Sequence, residues 1–448
     1  MTPDTSLAPG PDGLKLLRSI PAIQRDPLRY LLHSAQTYGD VVQFPINQWS
    51  AFLVNHPDGV RHILQDNARN YDKNTLQYNQ LATVTGRGLL TSDGDLWLRQ
   101  RRLMQPAFHR QRLAGLDTLI VQATEGMLTR WQARPNPGAA IDLDHEMLAL
   151  TLEIVGKALF GIDLRADAGE LTSAVLTALD HIVYKAQNFA ALPESIPTPR
   201  NRRFKAALRT LNSAVQTLIR ARQDDSHPPD DLLTMLLHAR DEQGNGMSAE
   251  QLRDEILTLL IAGHETVASA LTWAWYLLST HPMVRAQLEE ELTRVLQNRL
   301  PTSADLELLP YTRQIFEETL RLYPPAWLIT RRARAADTVL GYRIPTNSLV
   351  ILSPYVLHRH PQFWDNPEGF DPMRFAPGIE RARFAYIPFG GGARLCIGDR
   401  MAQLEAVLIL ATVSQRVRLN RVAGHPIEVL PLVTLRPRYG MPMNLAFV

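Results

Sequence analysis

The only cysteine of the 448-residue chain, Cys396, lies in the stretch Phe389-Gly390-Gly391-Gly392-Ala393-Arg394-Leu395-Cys396-Ile397-Gly398. A lone thiol makes no internal disulfide, and a reactive one works as a thiolate, either as a nucleophile or as a metal ligand. Three consecutive glycines let the backbone wrap closely around a bulky ligand where any Cβ would interfere. From Asp399 to Val413, residues Met401, Leu404, Leu408 and Ala411 recur along one helical face, so the sulfur sits just ahead of a helix N-terminus, a position that favours the thiolate. A second group is Ala262-Gly263-His264-Glu265-Thr266, two small residues beside an acid and an alcohol inside a long helical run. Glycine in a helix interior costs about 1 kcal/mol relative to alanine and asks for a packing or functional reason. Thr266 follows Ala262 by four, so its hydroxyl either back-bonds to that carbonyl or turns away and lets the helix open. Trp97 and Arg101 share a helix face by the same spacing, and Glu318 and Arg321 pair an acid with a base three residues on.

Taken in order along the chain, these groups resemble the motifs of the cytochrome P450 family. They are Trp97 with Arg101, Ala262 to Thr266, Glu318 with Arg321, Pro372-Met373-Arg374-Phe375, and Phe389 to Gly398. The resemblance runs over essentially the whole chain and implies a mainly α fold with small β-sheets, the P450 fold, in a single domain, 1–448. It implies haem b, with Cys396 as the iron ligand, Phe389, Arg394 and Gly398 around it, and Ala262 and Gly263 leaving room for dioxygen. A thiolate pushes electron density onto haem iron and favours cleavage of the O–O bond. Haem propionates are anions, so Trp97, Arg101 and Arg394 are expected to hold them by charge-assisted hydrogen bonds and an indole N–H. Glu265 and Thr266 are the expected catalytic pair, with Glu265 exchanging protons with solvent, whereas His264 is expected to be structural. Glu318, Arg321 and Arg374 form the expected network on the proximal side, and Trp327, Leu328 and Ile329 are expected to face the haem and the substrate.

The resemblance thus implies a monooxygenase that inserts one atom of O2 into a C–H bond of a hydrophobic small molecule. Electrons would come from a ferredoxin and its ferredoxin reductase, since the residues after Cys396 carry no flavin or iron–sulfur signature. Arg99, Arg102 and Arg400 are candidates for a basic docking face. Two other readings are a peroxygenase driven by hydrogen peroxide, expected to lack the acid and alcohol at 265 and 266, and a non-catalytic haem-binding protein. Leu143 to Leu150, Ala262 to Trp273 and Leu322 to Arg332 further resemble a soluble bacterial P450 that hydroxylates carotenoid rings. Those stretches lie in the scaffold or in general motifs, so carotenoids, fatty acids and terpenoids or steroids all stay open.

The elements that must position these residues follow from pattern. With 45% hydrophobic residues the chain can bury a large core, and a net charge of +2 gives no case for nucleic acid. Met1 to Ile20 holds no continuous apolar run, and Ile256 to Leu278 is broken by His264 and Glu265, so the reading is a cytoplasmic protein without a membrane anchor, a monomer in a reducing compartment. Short strands are expected at Val41 to Phe44 and Ala51 to Val54, a helix from Pro57 to Gln65, and a long loop from Asn70 to Gly94. Helices are expected at Leu143 to Phe160, Ala166 to Phe189, Arg203 to Arg222 and Gln251 to Ser279. Between Ala190 and Arg202, Pro193, Pro197 and Pro199 are expected to break the helical run.

Overall fold

A computed structural model describes residues 7–46, 49–113, 115–136, 138–164, 168–188 and 191–448. Two N-terminal helices, α1 (Gly13–Arg25) and α2 (Pro27–Tyr38), are capped by Asp12 and Asp26, each accepting a backbone N–H from three residues on. They lie beside the hairpin β1 (Val41–Ile46) and β2 (Trp49–Val54), which extends both expected strands by two residues. After α3 (Pro57–Arg61), which runs on as a wider turn to Asp66, come β3 (Tyr71–Asp72) and α4 (Leu76–Thr85). The expected loop from Asn70 therefore contains a helix. Its inward positions are Tyr78, Leu81, Val84 and Thr85, with Asn79, Gln80 and Thr83 interleaved, too mixed a face to show as periodicity.

Next are α5 (Gly94–Met104), α6 (Arg110–Leu113), α7 (Leu116–Gln132), β4 (Ile141–Asp142) and α8 (Leu143–Phe160), the last with the expected bounds. Helix α9 (Ala168–Gln187) lies within the expected Ala166 to Phe189, of which 166, 167 and 189 fall outside the described residues. Helix α10 (Pro199–Gln223) begins before Arg203, because Thr198 caps it and Pro199 occupies the first helical position, where a missing N–H is harmless. Pro199 starts this helix instead of breaking it. Then follow α11 (Leu232–His238), α12 (Ala249–Thr280), α13 (Pro282–Leu296) and α14 (Pro310–Leu322).

The C-terminal part supplies β5 (Ile329–Ala333), the hairpin β6 (Asp337–Val339) and β7 (Tyr342–Ile344), β8 (Leu349–Leu352), α15 (Pro354–Leu357) and α16 (Asp399–Ser414). It closes with β9 (Val417–Arg421), β10 (Val429–Pro431), β11 (Leu435–Pro437) and β12 (Pro442–Phe447). The largest sheet has the order β1-β2-β8-β5-β3, in which only β2 and β8 run parallel. A second sheet is β4-β12-β9, and β10 pairs with β11 as a separate ribbon.

Helix α12 organises the core. Apolar residues surround it from Leu252 to Leu278, so it is buried on nearly every side, against α8, α14 and α16. It is long and apolar enough to span a bilayer, but most of it is buried within the protein. It packs on α8 at Gly263, where an added Cβ would stand 3.0 Å from Val155, and Thr151 of α8 donates to the carbonyl of His264 at 2.9 Å. Close packing on α8 is thus one reason for a glycine here, beside the room for dioxygen expected of it.

Candidate active site

The loop that carries Cys396 is folded by its glycines. Gly392 has φ +63°, and a Cβ there would stand 1.9 Å from the carbonyl oxygen of Leu64, so only glycine lets the loop rest on the turn that follows α3. The Cys396 N–H donates to the carbonyl of Phe389 at 3.0 Å and closes the loop, and Gly398 caps α16. The Cys396 side chain keeps accessible surface, yet protein stands close around it. Burial accordingly pushes the thiol above its usual value, Asp399 adds to that, and the Gly398 N–H and Arg101 pull it down. The Gly398 N–H at the start of α16 favours the thiolate, as expected from position, but burial outweighs it. A metal cation on the sulfur would remove the cost, since a coordinating thiol is deprotonated outright.

On α12, Ala262, Gly263 and Thr266 retain accessible surface while their neighbours are buried, and their spacing puts them on one face. Thr266 Oγ1 donates to Ala262 O at 2.8 Å, so of the two arrangements open to it the hydroxyl takes the back-bonded one, in an unbroken helix. Glu265 points elsewhere. It is 1% exposed, accepts Thr434 Oγ1 at 3.0 Å, and burial pushes its carboxyl up to about 7. It is turned from the Thr266 face towards the residue before β11, because one helical step turns a side chain by about 100°. His264 is fully buried, with Nδ1 on Leu260 O at 2.9 Å, and burial pushes it down to about 4, so it is neutral.

A set of cations surrounds Trp97. The Arg394 guanidinium stacks on the Trp97 ring at 3.8 Å, donates to Ser92 O at 2.8 Å and pairs with Asp93. Arg101 donates to Leu395 O at 3.0 Å, beside the cysteine, and Asp399 lies within its field. Two residues that the sequence did not single out join them. Lys73 donates to Leu90 O at 2.6 Å, and Arg331 donates to Thr330 O at 2.8 Å and Tyr78 Oη at 3.3 Å. Burial, then Arg331 and Arg394, holds the Lys73 ammonium well below the usual lysine range, and burial pushes Arg394 down to about 10. With all four basic groups protonated, Asp93 and Asp399 would leave two positive charges unmatched, and carboxylates placed there would oppose the burial that lowers Lys73. No local signal marks Lys73 and Arg331, because they meet only through tertiary folding.

Glu318 and Arg321 are fully buried in α14, with Arg321 donating to the carboxylate from Nε at 2.6 Å and Nη2 at 2.8 Å. Arg374 Nε stands 3.3 Å from Glu318 Oε1, close enough for an ion pair but without hydrogen-bond geometry. A missed residue, His358, links this network to the cysteine loop: Nδ1 contacts Arg321 O at 3.2 Å and Nε2 accepts the Ile387 N–H at 2.9 Å. That pairing requires the neutral tautomer with its proton on Nδ1, and burial pushes the ring down to about 3.

Trp327, Leu328 and Ile329 are not brought to one surface. Trp327 packs with Leu28, Val42 and Phe44 and donates to Leu432 O at 2.8 Å, Leu328 borders the same cluster, and Ile329 joins Leu64, Tyr71 and Ile387. Of the arginines expected on a docking face, Arg99 is spent on Asp241 at 2.6 Å, Gln251, and the carbonyls of Asn245 and Gly246, so it is an internal tie. Arg102 pairs with Glu242, and Arg400 is exposed. A cleft of about 780 Å³ between α10, α11 and the start of α12 holds none of the expected site residues.

An accessible sulfur that needs a cation, a face of small residues on α12, and two unmatched positive charges fit an apolar metal macrocycle bearing two carboxylates, as an iron porphyrin does. Comparison with known proteins agrees. The family model described as cytochrome P450 matches residues 8–441. Cyclooctatin synthase of Streptomyces melanosporofaciens is 39% identical over 96% of this chain and 93% of its own. Cyclooctat-9-en-7-ol 5-monooxygenase of the same organism is 36% identical over 94% and 90%, and pentalenene oxygenase of Streptomyces avermitilis 35% over 92% and 91%.

Proposed function

The chain belongs to the cytochrome P450 family and is a monooxygenase with haem b as its cofactor, and on that premise we propose that it hydroxylates a cyclic terpenoid with electrons from a ferredoxin and its reductase. Enzymes of this family use redox partners and O2 and act on hydrophobic substrates. The names of the relatives, which give a cyclic alkenol and pentalenene as substrates, favour a terpenoid over a fatty acid; a carotenoid ring remains the second option from the sequence.

In this proposal one domain spans 1–448 as a cytoplasmic monomer. Cys396 binds the iron, with Phe389 and Gly398 shaping the loop around the sulfur. Trp97, Arg101 and Arg394 hold the propionates, and Lys73 and Arg331 join them. Bound there, haem b supplies the activation of dioxygen and the transfer of one oxygen atom to carbon. The chain's own contribution is to orient and to handle protons. Ala262 and Gly263 keep that face of α12 low, Thr266 positions a proton donor once its hydroxyl leaves Ala262 O, and Glu265 supplies the proton. Glu318, Arg321 and Arg374 hold the proximal side, and of the expected pocket residues Ile329 packs with Leu64 and Ile387, while Trp327 is committed to the N-terminal sheet with Leu328 at its border.

The observation that carries this reading is the cluster of Lys73, Arg101, Arg331 and Arg394 next to the glycine-built cysteine loop, four basic side chains with only Asp93 and Asp399 to oppose them. The presence of both Glu265 and Thr266 favours the electron-fed reaction over a peroxygenase. Cys396→Ser should abolish the red-shifted carbon monoxide band of the reduced protein. Binding titrations of the wild type against a panel of terpenoids, carotenoids and fatty acids, followed by product mass analysis with NADPH and donor proteins, then identify the substrate. NADPH consumption without product from any member of the panel would set aside all three substrate classes.

A further inference from the structure

Side chains from three elements meet at the acid of α12. Thr434, just before β11, and Arg436 within it both reach the side of Glu265, while the Leu435 carbonyl between them accepts Ser269 Oγ at 2.5 Å and Trp273 Nε1 at 2.9 Å. Glu265, Ser269 and Trp273 recur every four residues, and β11 therefore lies along one stripe of α12. Thr434 Oγ1 donates to Glu265 Oε1 at 3.0 Å, and Arg436 pairs through Nη2 with Asp144 in the first turn of α8. All four side chains are buried.

Three polar atoms here lack a hydrogen-bond partner among the described residues: Arg436 Nη1, Asp144 Oδ1 and His264 Nε2. Buried polar atoms are normally paired, so three together in one place call for an explanation. The charge count provides it. One guanidinium balances one carboxylate, and a second carboxylate in the same buried surroundings ionises only at a high cost.

We propose that Asp144 and Glu265 share a single proton across Arg436, which makes Arg436, Thr434 and Asp144 positioning residues for the proton that Glu265 delivers. This rests on the reading of Glu265 as proton donor. The Glu265 side chain turns from Thr434, its O–H bond breaks as the proton passes to a water on the face that carries Thr266, and the new carboxylate returns to the spare Nη1 donor of Arg436. A solvent proton then reloads the pair through Asp144, which is flanked by exposed Asp142 and His145. Glu265 is faced by Arg436 and Asp144, Asp144 by Arg436, Asp142 and His145, and neutral His264 offers only a lone pair at Nε2. Burial raises both carboxyls, and Arg436 opposes this most directly at Asp144, so Glu265 is the protonated member near neutrality.

The test uses the haem-loaded protein and an infrared pH titration of the carboxyl C=O band that Glu265→Gln removes. The midpoint is expected near 7 in the wild type. It should fall by about one pH unit in Asp144→Asn, which removes the competing carboxylate, and rise by a similar amount in Arg436→Gln. Thr434→Val should raise it less. Asp144→Asn and Thr434→Val are near-isosteric and keep the test decisive if Arg436→Gln does not fold. The pH at which peroxide formation overtakes product formation should move with the midpoint. A midpoint unmoved in Asp144→Asn overturns the sharing. A midpoint that moves while the product-to-peroxide profile stays put overturns the delivery step. Failure of the underlying reading is seen separately, as normal coupling in Glu265→Gln.

Discussion

Replacing Glu318 by alanine tests how the proximal side is held. The carboxylate is fully buried, receives two hydrogen bonds from Arg321 and one from the Asp371 N–H at 2.9 Å, and faces Arg374 at 3.3 Å. Arg321 spends its remaining donors on the carbonyls of His358 at 2.9 Å, Pro367 at 2.6 Å and Gly369 at 2.7 Å, so it cannot turn to water when its partner is lost. Leaving a buried charge without its partner costs about 3–5 kcal/mol. At roughly 2.1 cal/mol/K per residue, unfolding of 448 residues carries about 0.9 kcal/mol/K, so Tm should fall by about 3–5 °C. Arg374 lacks hydrogen-bond geometry to the carboxylate and holds only the Asn366 carbonyl, at 3.0 Å, so Arg374→Ala should cost about 1 kcal/mol, or ~1 °C. Scanning calorimetry of both variants, with haem bound per chain measured in parallel, reads the order. Equal losses in the two variants, or less than about 1 °C for Glu318→Ala, would refute the geometric ranking.

Lys73→Gln and Arg331→Gln should each weaken haem retention without altering the carbon monoxide band, because each removes one of the unmatched charges; retention equal to wild type in the double variant would count against the propionate cluster. Gly392→Ala should yield little haem-loaded protein, since its Cβ would collide with Leu64 O at 1.9 Å, and normal loading would show that the loop sits elsewhere. Thr266→Ala should keep haem and oxygen binding while diverting NADPH consumption to peroxide; a simple helix residue back-bonded to Ala262 would instead leave coupling unchanged. Burial raises Glu255 to about 8 from an ordinary 4.5, so its contribution to stability is full below 4.5 and lost as pH rises through 8. Glu255→Gln keeps the acceptor for the Leu89 N–H and should flatten that part of the stability–pH curve, which thermal melts across the range will show.

What the sequence determined is local. Spacing along one helix and turn chemistry are written in neighbouring residues, so Ala262 to Thr266, Glu318 with Arg321, the glycine loop at Cys396 and the bounds of α8 and α16 could all be read from it. Helix α4 escaped because its buried face is not uniformly apolar, and Pro199 was misread because a proline that breaks a helix and one that begins it look alike until the cap at Thr198 is seen. The tertiary structure alone decided which charges share a site. Lys73 meets Asp93 and Arg331, and Arg436 meets Asp144 and Glu265, across separations of chain for which no periodicity exists. It also decided which way side chains point: Arg99 turns inward to the Asp241 loop, Trp327 joins the N-terminal sheet, and Gly263 meets Val155. Sequence spacing fixes the angle of a side chain about its own helix, but what stands at that angle depends on which elements the core has packed there.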